Sequence, residues 1–270
     1  MDKNSYIGVF DSGIGGLTVV KGIVDSLPDE NIVYFGDTAR VPYGTRSKRQ
    51  IIEYALSDVK FLATFDIKAV VIACNTADST AREEVMAAYP EFPVFGVVDP
   101  ASRMAAKTTR NGRIGVMATK ATAASGAYDR AIARYNPEAE VFDMPCSLLV
   151  PLVENGRFLP GDKVAEMVVQ EYAQPLVDKE VDTLILGCTH FPLLTDILRK
   201  YYPELNIISS SGAAAQELRE SLEKAGTLND SGKPGTHRYF VSDDAAQAEE
   251  IARYFMGSVL DSRVEQVRIE

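Results

Sequence analysis

Ala69-Val70-Val71-Ile72-Ala73 is an unbroken apolar run that stops at the polar triplet Cys74-Asn75-Thr76. A strand with one wet face alternates apolar and polar residues. A run without alternation is covered on both faces, as in a parallel sheet sandwiched between helices. Similar short runs stand at Tyr6–Phe10, Asn31–Phe35, Val94–Val97, Arg113–Met117, Glu140–Asp143, Thr183–Leu186, Asn206–Ile208 and Arg238–Val241. Longer amphipathic segments separate most of them. The clearest runs from Ser47 to Phe65, where Ile52, Ala55, Val59 and Leu62 recur at helical steps. Ser47 followed by Gln50 reads as a capping box that fixes its start. Strands alternating with helices predict an α/β fold with doubly wound sheets. The polar stretch Asn229–Thr236 is expected to be a surface loop before the last strand.

The run at 69–73 also has an echo. Val70-Val71-Ile72-Ala73-Cys74-Asn75-Thr76 matches Leu184-Ile185-Leu186-Gly187-Cys188-Thr189, 114 positions on. Ile7-Gly8-Val9-Phe10-Asp11-Ser12 matches Ile114-Gly115-Val116-Met117-Ala118-Thr119, 107 positions on. Looser pairs join Asn31 with Ala139 and Val94 with Ile207, at offsets of 108 and 113. Four matches in order predict two homologous halves. We expect one domain from residues 1–97 with 213–270, a second from 98–212, a pseudo-twofold axis relating them, and a site in the cleft between.

Composition narrows the function. The 270 residues include 38 acidic and 28 basic side chains, for a net charge of −10. Such a chain offers no basic field, so neither nucleic acid nor membrane is an expected partner. With no signal-peptide pattern at Met1-Asp2-Lys3-Asn4-Ser5 and only three cysteines, a reducing cytoplasmic setting is expected. No apolar run approaches the ~20 residues a bilayer requires.

Cys74 and Cys188 each follow an apolar strand and are expected to open a helix, whose free N–H groups would lower the thiol pKa. Brought together across a cleft, two like acid/base groups suit inversion of a stereocentre: one removes a proton from one face while the other supplies a proton to the opposite face. A hydrolase needs one nucleophile and an oxyanion hole instead. No Cys-x-x-Cys supports disulfide chemistry, and two histidines are too few for a zinc site, so no metal is expected. Gly13, Gly15 and Gly16 do not form Gly-x-Gly-x-x-Gly, so no nucleotide cofactor is expected either. Cys146 has no counterpart in the repeat and is assigned to packing. Arg40 is set aside as an exposed charge.

Four stretches, Phe10-Asp11-Ser12-Gly13-Ile14-Gly15-Gly16-Leu17-Thr18-Val19, Gly36-Asp37-Thr38-Ala39-Arg40-Val41-Pro42-Tyr43-Gly44, Ala73-Cys74-Asn75-Thr76-Ala77 and Gly187-Cys188-Thr189-His190-Phe191-Pro192-Leu193-Leu194, closely resemble the glutamate racemase family. The resemblance runs in order from residue 5 to about 256. It implies a cofactor-independent isomerase interconverting L- and D-glutamate and supplying D-glutamate for peptidoglycan. It also implies a homodimer whose interface the sequence leaves open. Cys74 would act on the D-enantiomer and Cys188 on the L-enantiomer, assisted by Asp11, His190 and Glu154. Asp11 is also suited to cap a helix, and Glu154 stands in a plain helix-end sequence, Glu154-Asn155-Gly156. Asp11, Ser12, Pro42, Tyr43, Gly44, Asn75, Thr76, Thr189 and His190 match substrate-binding positions. Thr119 joins them through the repeat, with a plain helix cap as its alternative. An aspartate racemase would share the paired thiols; a two-domain amino-acid-binding protein would share the cleft alone. Because Ile7 lies so near Met1, no amino-terminal effector segment, and no activation by a cell-wall precursor, is expected. Capture of an anionic substrate by an acidic protein must rest on local donors at helix starts.

Overall fold

The computed structural model describes residues 2–269; Met1 and Glu270, the outer ends of the expected first domain, lie outside the described residues. The chain first lays down β1 (Tyr6–Asp11), α1 (Leu17–Ser26), β2 (Ile32–Gly36), α2 (Lys48–Leu62), β3 (Ile67–Ile72), α3 (Asn75–Ala88) and β4 (Val94–Phe95). It continues through α4 (Val98–Thr108), β5 (Arg113–Ala118), α5 (Lys120–Ser125), α6 (Ala127–Tyr135), β6 (Glu140–Pro145), α7 (Leu149–Glu154), α8 (Lys163–Val177), β7 (Thr183–Gly187), α9 (Thr195–Tyr201) and β8 (Asn206–Ser209). It closes with α10 (Ser210–Ala225), β9 (His237–Val241), α11 (Ala245–Met256) and β10 (Val264–Gln266).

Two wholly parallel sheets result. One runs β10-β9-β2-β1-β3-β4 and the other β6-β5-β7-β8. Within them, β2-β1-β3-β4 and β6-β5-β7-β8 share one order, so the sequence repeat is a repeat of topology. The nine expected strands are present to within two residues at each end. The tenth, β10, is three largely polar, exposed residues at a sheet edge, and carries no apolar run by which sequence could find it.

β3 is buried along its whole length, as its lack of alternation requires. On one face of the first sheet, Phe10, Val33, Phe35, Val70 and Ile72 pack with Ile51, Ala55, Val59 and Leu62 of α2 and Ala77, Ala81 and Val85 of α3. On the other, Ile7, Val9 and Val71 pack with Leu17, Val20 and Ile23 of α1, and this core continues through α10 into the second sheet. Each of the larger aliphatic and phenylalanine side chains contributes roughly 1.5–3 kcal/mol by leaving water. α2 starts where expected: the Gln50 amide donates to Ser47 Oγ at 3.4 Å, and Gln50 Oε1 accepts from the Ser47 hydroxyl at 3.3 Å. It ends at Leu62, short of Phe65, in tight turns closed by Thr64 Oγ1 donating to Phe61 O.

One buried ion pair ties the base of the first sheet together. Lys68 Nζ lies 2.6 Å from Glu30 and also donates to Lys3 O and Thr227 O, with both charged side chains fully buried. Replacing Lys68 by methionine leaves the Glu30 carboxylate buried without its counter-ion, which should destabilise the fold by roughly 3–5 kcal/mol. Urea unfolding would measure this, and the double variant with Glu30→Gln should recover much of the loss. Among the described residues no helix is long and apolar enough to cross a membrane.

Candidate active site

In a β2-β1-β3-β4 sheet the direction of winding reverses between β1 and β3, and ligands bind beyond the strand ends at that reversal. Ser12 follows β1 and Cys74 lies two residues beyond the end of β3. In the second sheet Thr119 follows β5 and Cys188 follows β7. The two reversals face a single cavity of about 350 Å³, which Ser12, Cys74, Asn75 and Thr76 line from the first half. Thr119, Glu154, Cys188, Thr189 and His190 line it from the second, and Pro42, Tyr43 and Gly44 form a further wall. Of the expected site residues only Asp11 is absent from the lining; it is buried one residue back along the chain from Ser12. A larger groove of about 690 Å³ between α3, α4 and α6 holds none of these residues. Its charges are largely paired among themselves, as in Lys48–Glu84 and Arg82–Asp78.

Cys74 is the N-cap residue of α3 and donates its thiol proton to Ser12 Oγ at 3.4 Å. The expected lowering of its pKa is overturned. Burial and the negative charge of Asp11 push this thiol up to about 12, outweighing the hydroxyl of Ser12 and the Ala77 and Ser12 amides that favour the thiolate. Asp11 Oδ2 accepts from the Gly13 and Gly16 amides at 3.2 and 3.0 Å and so holds the loop before α1. The N-cap of α1 is Gly16, with no side-chain cap, so Asp11 is not the helix cap it was suited to be. Its Oδ1 is buried with no hydrogen-bond partner among the described residues. Burial raises this carboxyl above the usual carboxylate range, against the pull of the His190 charge and the neighbouring amides.

The second thiol is set differently. Cys188 leads into a 3-10 turn, Phe191–Leu194, and α9 starts only at Thr195, so the expected α-helix start at Cys188 is not there. Its neighbour is an imidazole instead. His190 Nδ1 lies 3.8 Å from Cys188 Sγ, and Nε2 lies 3.0 Å from Glu154 Oε1 at the end of α7. The ring stands edge-on to Phe255. Burial alone would lower this imidazole, but hydrogen bonds to Cys188 and Glu154 outweigh it and hold it up at about 10. That exceeds the ~6.5 of an unfolded histidine. Its contribution to stability is therefore complete below about pH 6.5 and is lost as pH climbs through about 10. The difference in Tm between wild type and His190→Gln should shrink across that window.

Three hydroxyls join the halves: Thr76 Oγ1 lies 3.0 Å from Thr119 Oγ1 and 3.2 Å from Thr122 Oγ1. Thr119 also caps α5, accepting from the Thr122 amide. Two expected ligands have their side chains engaged elsewhere. Asn75 Oδ1 accepts from Tyr128 and its amide donates to Ser210. The Tyr43 hydroxyl sits 2.5 Å from Asp37 Oδ2 and 2.9 Å from Asp58 Oδ2. Arg40 is not the exposed charge it was expected to be: it is largely buried between the same two carboxylates. Cys146 is buried, as packing requires, and it also lines the cavity. So do Lys120, Ser147, Val150 and Pro151, none of which was anticipated. The looser repeat pair held that information. With an offset of 108, the segment after β6 is the counterpart of the Pro42-Tyr43-Gly44 loop after β2, and both reach the cavity.

The sequence profile of the Asp/Glu/hydantoin racemase family matches residues 7–218. The glutamate racemase of Persephonella marina is 46% identical over 253 residues, covering 93% of each chain. A glutamate racemase structure from Bacillus anthracis superposes with a TM-score of 0.91 at 37% identity, covering 99% of this chain and 98% of that one. The Francisella tularensis glutamate racemase, solved in complex with D-glutamate, superposes with a TM-score of 0.89 at 35% identity and the same coverage.

Proposed function

This chain belongs to the Asp/Glu/hydantoin racemase family, and from that premise we propose that it is a glutamate racemase working without a cofactor through Cys74 and Cys188. The observation that carries the proposal is that two thiols, one beyond each winding reversal, line the same cavity. Starting from L-glutamate, Cys188 as thiolate takes the α-proton while the electron pair passes to the α-carbon. The Cys74 thiol then delivers its proton to the opposite face. The reverse reaction exchanges the roles. A protonated His190, held by Glu154, sets positive charge against Cys188. The unpartnered Oδ1 of Asp11 is the group available to assist the other thiol.

Substrate carboxylates would be met by the hydroxyls of Ser12, Thr76, Thr119 and Thr189 and by backbone N–H groups at the start of α3, with Pro42, Tyr43 and Gly44 closing one side. The domain division at 97/98 and 212/213, a homodimeric assembly, a cytoplasmic location and a supply of D-glutamate to peptidoglycan belong to the same proposal. In deuterated water, either enantiomer of glutamate should gain deuterium at the α-carbon and lose its optical activity. Faster turnover of aspartate would overturn the substrate and keep the chemistry. Binding without exchange would mark an amino-acid-binding protein instead.

A further inference from the structure

Beneath the Pro42-Tyr43-Gly44 wall lies a cluster in which hydrogens are short. Asp37 and Asp58 are fully buried, and Tyr43 nearly so. The Tyr43 oxygen is 2.5 Å from Asp37 Oδ2 and 2.9 Å from Asp58 Oδ2. A phenol has one proton to donate. Were both carboxyls ionised, one of these contacts would press oxygen lone pairs together with no hydrogen between them. A second proton is therefore required, and the other contacts say where it resides. Asp37 already accepts from Arg40 Nε at 2.6 Å and from the Ser242 hydroxyl at 3.0 Å, as a carboxylate does. The Ser242 oxygen in turn accepts from the Ala39 amide, which leaves its own proton for Asp37. Asp58 meets Arg40 through Oδ1 at 2.8 Å, leaving Oδ2 free to carry a proton toward Tyr43.

We propose that Asp58 is a neutral carboxylic acid donating to Tyr43, which donates to the Asp37 carboxylate, and that this chain with Arg40 is a positioning device for the cavity wall. One guanidinium then faces one carboxylate, so the buried set is neutral. Burial, and the charge of Asp37, raise the Asp58 carboxyl well above the usual range, consistent with this count. The phenol fixes the 3-10 turn Tyr43–Thr45 at its root. Gly44 is thereby held so close to Thr119 that a Cβ there would stand 3.1 Å from the threonine Cβ. The device reaches the substrate only through that turn, and this part rests on the function proposed above.

The test starts on the full, substrate-free chain. Carbon NMR of carboxyl-labelled aspartate at neutral pH should show a protonated carboxyl signal that is lost in Asp58→Asn. An asparagine reproduces both contacts of the neutral acid, accepting from Arg40 and donating to Tyr43. Asp58→Asn should therefore keep its unfolding midpoint, and its KM for glutamate within about twofold. Asp58→Leu leaves Tyr43 and Arg40 without that partner and should raise KM about tenfold, with a smaller change in kcat. A wild-type spectrum with no protonated signal that Asp58→Asn removes, an Asp58→Asn chain that fails to fold, or one as impaired as Asp58→Leu would overturn the proposal. Failure to racemise glutamate would sink the functional reading alone, because the protonation is read without substrate.

Discussion

Replacing Cys74 by serine should lower racemisation of glutamate by about 10²–10⁴-fold, the range set by removing one general acid/base group. The more telling expectation concerns exchange. In that variant Cys188 can still take the α-proton of L-glutamate and return a solvent deuteron to the same face, so L-glutamate should exchange slowly while D-glutamate does not. Cys188→Ser should show the opposite pattern. The asymmetry follows from two groups standing on two faces of one carbon, and optical rotation combined with proton NMR in deuterated water reads both halves of it. If either variant exchanges both enantiomers equally, the two-thiol mechanism is wrong.

The second large effect needs only one methyl group. A Cβ on Gly15 would stand 2.4 Å from Thr189 Oγ1 and 2.5 Å from the His190 ring. Those atoms belong to the other half of the chain, and they cannot yield freely. His190 is held at 3.0 Å by Glu154 and edge-on against Phe255. Gly15→Ala should therefore displace the imidazole from Cys188 and lower kcat/KM by about 10²-fold, the usual consequence of misplacing a reacting group by about an ångström. Gly13→Ala is the control: its Cβ would meet only Val41 Cγ2, at an ordinary 3.4 Å. Equal losses in the two variants would mean that the loop, and not the contact with His190, is what matters.

Much of this arrangement was legible in the residues. The apolar runs at 69–73 and 183–186 located two sheets, and the matched cysteines after them located one cavity. Parallel strands have a strong signature because both faces are buried, whereas β10 has none. Spacing could not reveal the electrostatics. A strand-to-helix junction was expected to favour both thiolates, yet Cys74 is pushed upward by burial and by a carboxylate eleven residues from the amino terminus. Arg40 misled for a related reason: its partner Asp58 lies 18 residues on, in α2, and no local pattern announces a contact between separate segments.

The unequal neighbours of the two cysteines bear on kinetics in both directions. With burial and Asp11 disfavouring charge on Cys74, the proposed two-thiol mechanism would have the resting protein keep Cys74 as the thiol, the protonation isomer that accepts L-glutamate. Every passage from L to D leaves the other isomer behind, and a proton must travel home before the next L molecule is processed. D-glutamate meets the scarcer isomer, which weakens its apparent affinity by the fraction present. Enantiomers have equal free energies, so the Haldane relation holds the two values of kcat/KM equal. The protein's lopsidedness can therefore surface only as a higher KM and a proportionately higher kcat on the D side.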